Sequence, residues 1–128
     1  MNRIEQEIAQ AALCAVSTDE TGGFQGRYLF PESFCGFAGH FPGHPILPAI
    51  VEVMTAVSLV AQQSGCRQRL VGVEDAKFLV PVRPNQEILV RCRTRSVRGK
   101  LLYDAQLSVA GHTSATLLLE LAGAGAKR

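Results

Sequence analysis

Between Ala49 and Gln63 the chain is apolar at nearly every position. Ile50, Val51, Val53, Met54, Ala56, Val57, Leu59, Val60 and Ala61 are interrupted only by Glu52, Thr55, Ser58 and the closing glutamines. Such a run predicts a helix, and a helix apolar on almost every side must be wrapped by other elements. Pro48 suits its first turn, where the missing N–H does no harm, and Ser64-Gly65 supplies the stop. Beyond it the pattern turns strand-like. Leu70 to Val80 ends at Pro81, Ile88 to Val97 at Arg98-Gly99-Lys100, and Leu101 to Ala110 at Gly111-His112, with Thr113 to Leu121 closing the series. Short connections predict an antiparallel meander. Ahead of the helix, Ile4 to Val16 is ambiguous: its start suits a short helix, and Ala11 to Thr18 predicts a strand. The turn signal Asp19 to Gly23 then leads into Phe24 to Phe30, completing a hairpin. A hairpin, one apolar helix and a run of strands predict an α+β fold in which a curved antiparallel sheet wraps the helix.

Length and composition narrow the class. The chain has 128 residues, 47% of them hydrophobic, which suits one domain spanning 1–128. No apolar run approaches the roughly 18 residues of a membrane span. The N-terminal segment Met1 to Glu7 lacks the basic-then-apolar order of a signal peptide. A soluble cytoplasmic protein is expected, with a small-residue tail, Ala122 to Arg128, that frays. Cys14, Cys35, Cys66 and Cys92 are scattered without a Cys-x-x-Cys pair. Reduced, mostly buried thiols are expected rather than zinc or a disulfide framework.

The formal net charge of +2 is too small to argue for nucleic acid. Arg91, Arg93, Arg95, Arg98 and Lys100 nevertheless lie together with no acid among them. On a strand, Arg91, Arg93 and Arg95 project from one face. A solvated outer sheet face is the simpler explanation, and a docking surface for an acidic partner such as a carrier protein is the sharper one.

The chemistry concentrates in the loop between hairpin and helix. Residues 36 to 48 hold three prolines and three glycines, which leave the backbone little freedom and hold a side chain in place. Here His40 precedes the start of an apolar helix, whose free N–H groups and positive dipole end lie close by. An imidazole moves a proton near neutral pH while such N–H groups polarise a carbonyl oxygen. An isolated histidine would more simply bond to loop carbonyls. A metal held by His40 and His44 is disfavoured, because Pro42, Gly43 and Pro45 exclude the helix their spacing would need. His112, at a turn, reads as a surface residue, and Cys35 as a buried structural thiol.

The segment His40-Phe41-Pro42-Gly43-His44-Pro45-Ile46-Leu47-Pro48 resembles the His-Phe-Pro-Gly-x-Pro-x-Met/Leu-Pro motif of the FabA/FabZ-type 3-hydroxyacyl-ACP dehydratases. Downstream, Glu74 to Pro84 is similar to that family's Asp-x-Ala-Lys-Phe-x-x-Pro-Val-x-Pro strand, shifted by a residue at its start. Val109-Ala110-Gly111 falls where the family turns into its last strand. The resemblance implies a hotdog fold and a homodimer or trimer of dimers. It also implies an acyl chain on the phosphopantetheine of acyl carrier protein or coenzyme A, entering an apolar tunnel, with no further cofactor and no metal. By position, His40 is the base that takes the α-proton and the Ala49 N–H holds the thioester oxygen. Phe41, Pro42, Gly43, Met54, Ser58 and Phe78 would line the loop or tunnel. The family has Gly where this chain has Ala49, and an Ala keeps the N–H but narrows the approach of the backbone to substrate.

One element of the pattern departs. The family's carboxylate sits fourteen residues after the histidine, where this chain has Met54, and its usual Gln becomes Ser58. The nearby acid is Glu52, about 200° from Met54 around a helix. An ungapped alignment puts Met54 at the carboxylate position and turns Glu52 elsewhere. A gapped one matches Glu52-Val53-Met54 to the family's Glu-x-Met. The ungapped form is favoured, since a two-residue loss inside a packed helix rotates every later side chain. It also agrees with the divergent ApeI-like branch, whose Pro-Ile-Leu-Pro-Gly-Val-Val-Gln-Leu pattern carries a polar residue where this chain has Glu52. Glu52 stays a candidate acid, because a carboxylate in an apolar helix must reach solvent, a partner or a site. A salt bridge or hydrogen bond across the dimer would serve it equally well. Dehydration is the first expectation; a hotdog thioesterase and a non-catalytic acyl-thioester binder are the alternatives.

Overall fold

The computed structural model describes residues 2–37 and 43–123. Helix α1, Arg3–Gln10, opens on a capping box in which the Asn2 side chain accepts from the Glu5 N–H and Glu5 reaches back to the Asn2 N–H. Its apolar face seats Ile8 in the core. Strands β1 (Ser17–Thr18) and β2 (Phe24–Leu29) follow, then a 3₁₀ turn at Cys35–Phe37 and helix α2, Ala49–Ser64. Strands β3 (Gln68–Phe78), β4 (Glu87–Val97), β5 (Lys100–Val109) and β6 (His112–Gly123) complete the chain.

Among the described residues the six strands form one antiparallel sheet in the order β1-β2-β4-β5-β6-β3. Strand alternation turns Tyr28, Ile88, Val90, Leu107, Leu117 and Leu119 to the core, against Val51, Leu59 and Val60 of α2. The helix runs close over β2. A Cβ added at Gly26 would stand 2.8 Å from Leu59 Cδ1, so the absence of a side chain there sets the spacing of helix and sheet. Gly65, with φ +77°, takes the left-handed conformation that ends α2, and its N–H donates to Ala61 O.

Four expectations need correction. The expected strand over Ala11 to Thr18 shrinks to Ser17–Thr18 and one isolated bridge, Ala12 to Tyr28. The four last strands are not a simple meander: β4, β5 and β6 are, but β3 sits at the far edge beside β6, and β4 pairs with β2. The last strand runs on through Ala122 and Gly123, where fraying was expected, because both pair with β3. The thiols are not mostly buried: Cys92 is, but Cys14 and Cys66 are exposed and Cys35 half-buried.

Strand β3 is therefore an edge. Val71, Val73 and Phe78 stand exposed along it, and Leu79 and Val80 continue the apolar stretch beyond its end. Register shifts at Leu70/Gly72 and Val73/Asp75 mark irregularities in its pairing with β6.

Candidate active site

The beginning of α2 is the natural place for chemistry at a carbonyl. Pro48 caps it in extended conformation without a side-chain bond, and its carbonyl accepts from Val51 N at 2.9 Å and Glu52 N at 3.3 Å. The Ala49 N–H, one position inside the helix and exposed, donates to no acceptor among the described residues. Such an orphan donor at the positive end of a helix is suited to an anionic oxygen. The chain enters the helix along a fixed path, because Leu47 N donates to Val82 O at 2.7 Å. Gly43, with φ +83°, adopts a conformation that L side chains resist. His40, Phe41 and Pro42 lie outside the described residues.

Glu52, in the first turn of α2, is 4% exposed, and its Oε1 has no hydrogen-bond partner among the described residues. Burial pushes its carboxyl up to about 7. It lies seven residues before Leu59, nearly two full turns, and so shares the face that packs on β2. Met54 stands on another side of the helix, half-buried, facing a cleft between α1 and α2. The helix therefore gives the two residues different surroundings.

The cleft has a volume of about 370 Å³. Ile8 and Ala9 of α1 form one wall; Met54, Val57 and Ala61 of α2 form the other. The polar side chains that α2 contributes to it, Ser58 and Gln62, are both tied to Tyr28. The Tyr28 hydroxyl donates to Ser58 Oγ at 3.1 Å and accepts from Gln62 Nε2 at 3.1 Å. At the far end Arg67 Nη2 pairs with Glu5 Oε1 at 3.2 Å. Met54 and Ser58, predicted from the sequence, thus meet in one cavity. Phe78 does not join them; it is exposed at the end of the edge strand.

Ile8, Ala9, Tyr28 and Gln62 escaped the sequence reading. The i, i+4 spacing of Ile4 and Ile8 in a polar stretch signals an α1 that packs on something. Nothing in the sequence marks Tyr28, whose partners are thirty or more positions away.

The arginines of β4 do share an exposed face, but the fold brings acids to it. Arg95 Nη1 lies 3.4 Å from Asp104 Oδ2, and Arg93 Nη2 reaches Thr21 Oγ1 at 3.5 Å. Asp19 and Asp104 line the same shallow pocket as Arg91 and Arg93. The cationic run is thus partly neutralised by its neighbours across the sheet. Burial raises the Cys92 thiol to about 12, which removes it as a nucleophile near neutral pH.

The family model described as ApeI-like, ApeI dehydratase, matches residues 16–116. A 3-hydroxyacyl-[acyl-carrier-protein] dehydratase FabZ of Thermus thermophilus is 37% identical over 99 residues, covering 69% of this chain and 70% of the relative. The FabZ dehydratase of Geotalea uraniireducens is 32% identical over 96 residues, with 62% and 66% covered. Among solved structures, the dehydratase heterocomplex ApeI:P from Xenorhabdus doucetiae aligns with a TM-score of 0.70 at 16% identity, covering 86% of this chain and 95% of that one. The E. coli PaaI protein of the phenylacetic acid degradation operon aligns at 0.64 and 12%, covering 94% and 89%. At those identities the structures show the fold, which is the hotdog fold.

Proposed function

The chain belongs to the ApeI-like dehydratase family, and on that premise we propose that it eliminates water from a 3-hydroxyacyl thioester to give the trans-2-enoyl thioester. The observation that carries the residue assignment is the first turn of α2, where the Ala49 N–H and, three residues on, the Oε1 of the buried Glu52 both lack a hydrogen-bond partner among the described residues. The imidazole of His40 removes the α-proton of the substrate. Charge gathers on the thioester oxygen, where the Ala49 N–H receives it; one such donor is worth about 3 kcal/mol of barrier. As the Cα–Cβ double bond forms, the bond from the β-carbon to its hydroxyl breaks. The departing hydroxyl takes a proton from the Glu52 carboxyl and leaves as water. The proton on His40 then replaces the one lost by Glu52, directly or through solvent, so no cofactor is consumed. A carboxyl held near 7 is protonated often enough at neutral pH to serve as that acid.

The substrate rides on phosphopantetheine, and acyl carrier protein is the carrier that the FabZ names of the relatives suggest. No helix among the described residues is long and apolar enough to cross a membrane. A cytoplasmic location belongs to the same proposal. The assembly is a homodimer joined along β3. Its support is an edge strand that carries exposed Val71, Val73 and Phe78, the kind of edge that a second strand covers.

A second reading has its own observation. Met54, at the family's carboxylate position, faces the cleft and offers no proton. Under that reading the chain binds an acyl thioester and a different subunit supplies the acid. One experiment separates these readings and the thioesterase: the purified protein is incubated with 3-hydroxydecanoyl-acyl carrier protein and the products are resolved by mass spectrometry. The 2-enoyl thioester supports dehydration, free carrier thiol shows a thioesterase, and unchanged substrate shows a binder.

A further inference from the structure

Helix α1 takes no part in the proton transfers, yet one of its charged side chains grips the chain just ahead of His40. Glu7 Oε1 accepts the Cys35 N–H at 3.0 Å, and Cys35 opens the 3₁₀ turn Cys35–Phe37. The other oxygen of that carboxylate, Oε2, accepts from Arg3 Nε at 2.8 Å, one turn back along α1. A hydrogen bond to a carboxylate is stronger than one between neutral groups. The Cys35 N–H above all, and then the Arg3 guanidinium, hold the Glu7 carboxyl below the ordinary carboxylate range.

Both ends of this contact are well seated. On the α1 side, Ile8 lies in the core and Glu5 pairs with Arg67 beyond the end of α2. Under the turn, the Phe34 ring stands 4.5 Å from that of Phe30 and 5.8 Å, edge-on, from that of Phe37. Gly36 closes over Phe34, where an added Cβ would collide with the ring. Ring contacts set the depth of the turn, and a hydrogen bond, being directional, sets its orientation. His40 follows Cys35 by five residues and precedes Leu47 by seven. Leu47 is pinned in its turn, by its N–H to Val82 O. The base is thus carried on a segment tied to another element on each side, and the tie on its N-terminal side depends on one side chain.

We propose that Glu7 is a positioning residue for His40: by holding the Cys35 N–H it fixes where the base-carrying segment departs from α1, and so where the imidazole meets the substrate. The proposal rests on the dehydratase reading for the role of His40. Proton transfer needs the base within hydrogen-bond reach of the proton it takes, and a small displacement costs more in rate than in binding. Glu7 acts through the turn and touches no substrate, so its loss lowers kcat and leaves KM in place. The bond to Cys35 carries the effect, and the ion pair with Arg3 does not.

The test compares Glu7→Ala, which loses both bonds, with Glu7→Gln, which keeps an oxygen for the Cys35 N–H, and Arg3→Ala, which loses the ion pair alone. Each is assayed on 3-hydroxydecanoyl-acyl carrier protein. The imidazole Cε1–H resonance of His40, identified by its absence from His40→Ala, is recorded by NMR in each. The expected result for Glu7→Ala is a fall in kcat of about 10- to 100-fold with KM within about twofold of wild type, and a displaced His40 resonance. Glu7→Gln and Arg3→Ala keep the wild-type kcat and resonance. A wild-type kcat in Glu7→Ala, a loss carried by KM, or an equal fall in Arg3→Ala or Glu7→Gln overturns the proposal and leaves dehydration standing. If wild type itself turns over no substrate, the dehydratase reading fails and the resonance decides. Displaced in Glu7→Ala and not in Glu7→Gln, it supports the anchoring of the His40 segment; unmoved, it overturns it. Should Glu7→Ala not fold, Glu7→Asp takes its place with the same outcomes, since it keeps the charge and loses the reach.

Discussion

Glu52 and Met54 stand two residues apart on α2, and the helix turns them to different environments. Glu52 shares the face of Leu59, buried with a carboxyl oxygen that has no partner among the described residues, while Met54 opens on the cleft that α1 covers. The buried acid has a thermodynamic consequence. Its carboxyl titrates at about 7 in the fold against an ordinary 4.5, so the folded state holds a proton that the unfolded state releases between those values. Its contribution to stability is therefore fully present below about 4.5 and is lost as pH rises through about 7. The full span corresponds to about 3 kcal/mol. Glu52→Gln removes the ionisation. Urea titrations should show the variant more stable than wild type above pH 7 by up to that amount, with the difference shrinking toward pH 5.

The same substitution acts in the opposite direction on turnover. As general acid Glu52 must be protonated, so wild-type kcat should decline tenfold per pH unit above about 7. Glu52→Gln keeps the shape but cannot give up a proton. Its kcat should fall by roughly 10² to 10⁴-fold, and the decline above pH 7 should vanish. Steady-state pH profiles of both proteins check this. A variant that is stabilised yet fully active would assign the carboxyl a structural role.

At Gly26 helix and sheet approach closely. Gly26→Ala would press a methyl group against Leu59 Cδ1, and Leu59 is fully buried with little room to yield. Overpacking of this kind costs about 1 to 3 kcal/mol. Thermal unfolding should show a Tm several degrees lower than wild type.

The edge strand gives a prediction about assembly. Lysines at Val71 and Val73 add charge to the exposed face of β3 without touching the core. Light scattering on the double variant Val71→Lys, Val73→Lys should report a monomer where wild type reports a dimer, with the circular dichroism of the fold unchanged.

Much of this architecture was legible in the sequence, and the failures have physical causes. The unbroken apolar run from Ile50 to Ala61, with Pro48 before it and Gly65 after it, marks α2 closely because one residue pattern and two backbone signals agree. The order of the strands was not legible. The connection from β3 to β4 passes the start of α2, where Val82 O accepts the Leu47 N–H, and delivers β4 to β2 instead of to β3. Connection length says nothing of such a detour. Ala11 to Thr18 misled because strand propensity is not pairing, and Ala12 alone of its first half bridges to Tyr28. The α2 side of the cleft, Met54 and Ser58, came from the family resemblance. The α1 side did not, since Ile8 and Ala9 carry no chemistry and matter only through where α1 is docked.

The central claim is that His40 takes the α-proton of a 3-hydroxyacyl thioester. Single-turnover conversion of 3-hydroxydecanoyl-acyl carrier protein by wild type and by His40→Ala tests it most directly, with the 2-enoyl product quantified by its absorbance. The expected result is rapid formation of the enoyl thioester by wild type and a rate at least 10²-fold lower in the variant, with binding of the carrier retained. Equal rates in the two proteins would contradict it.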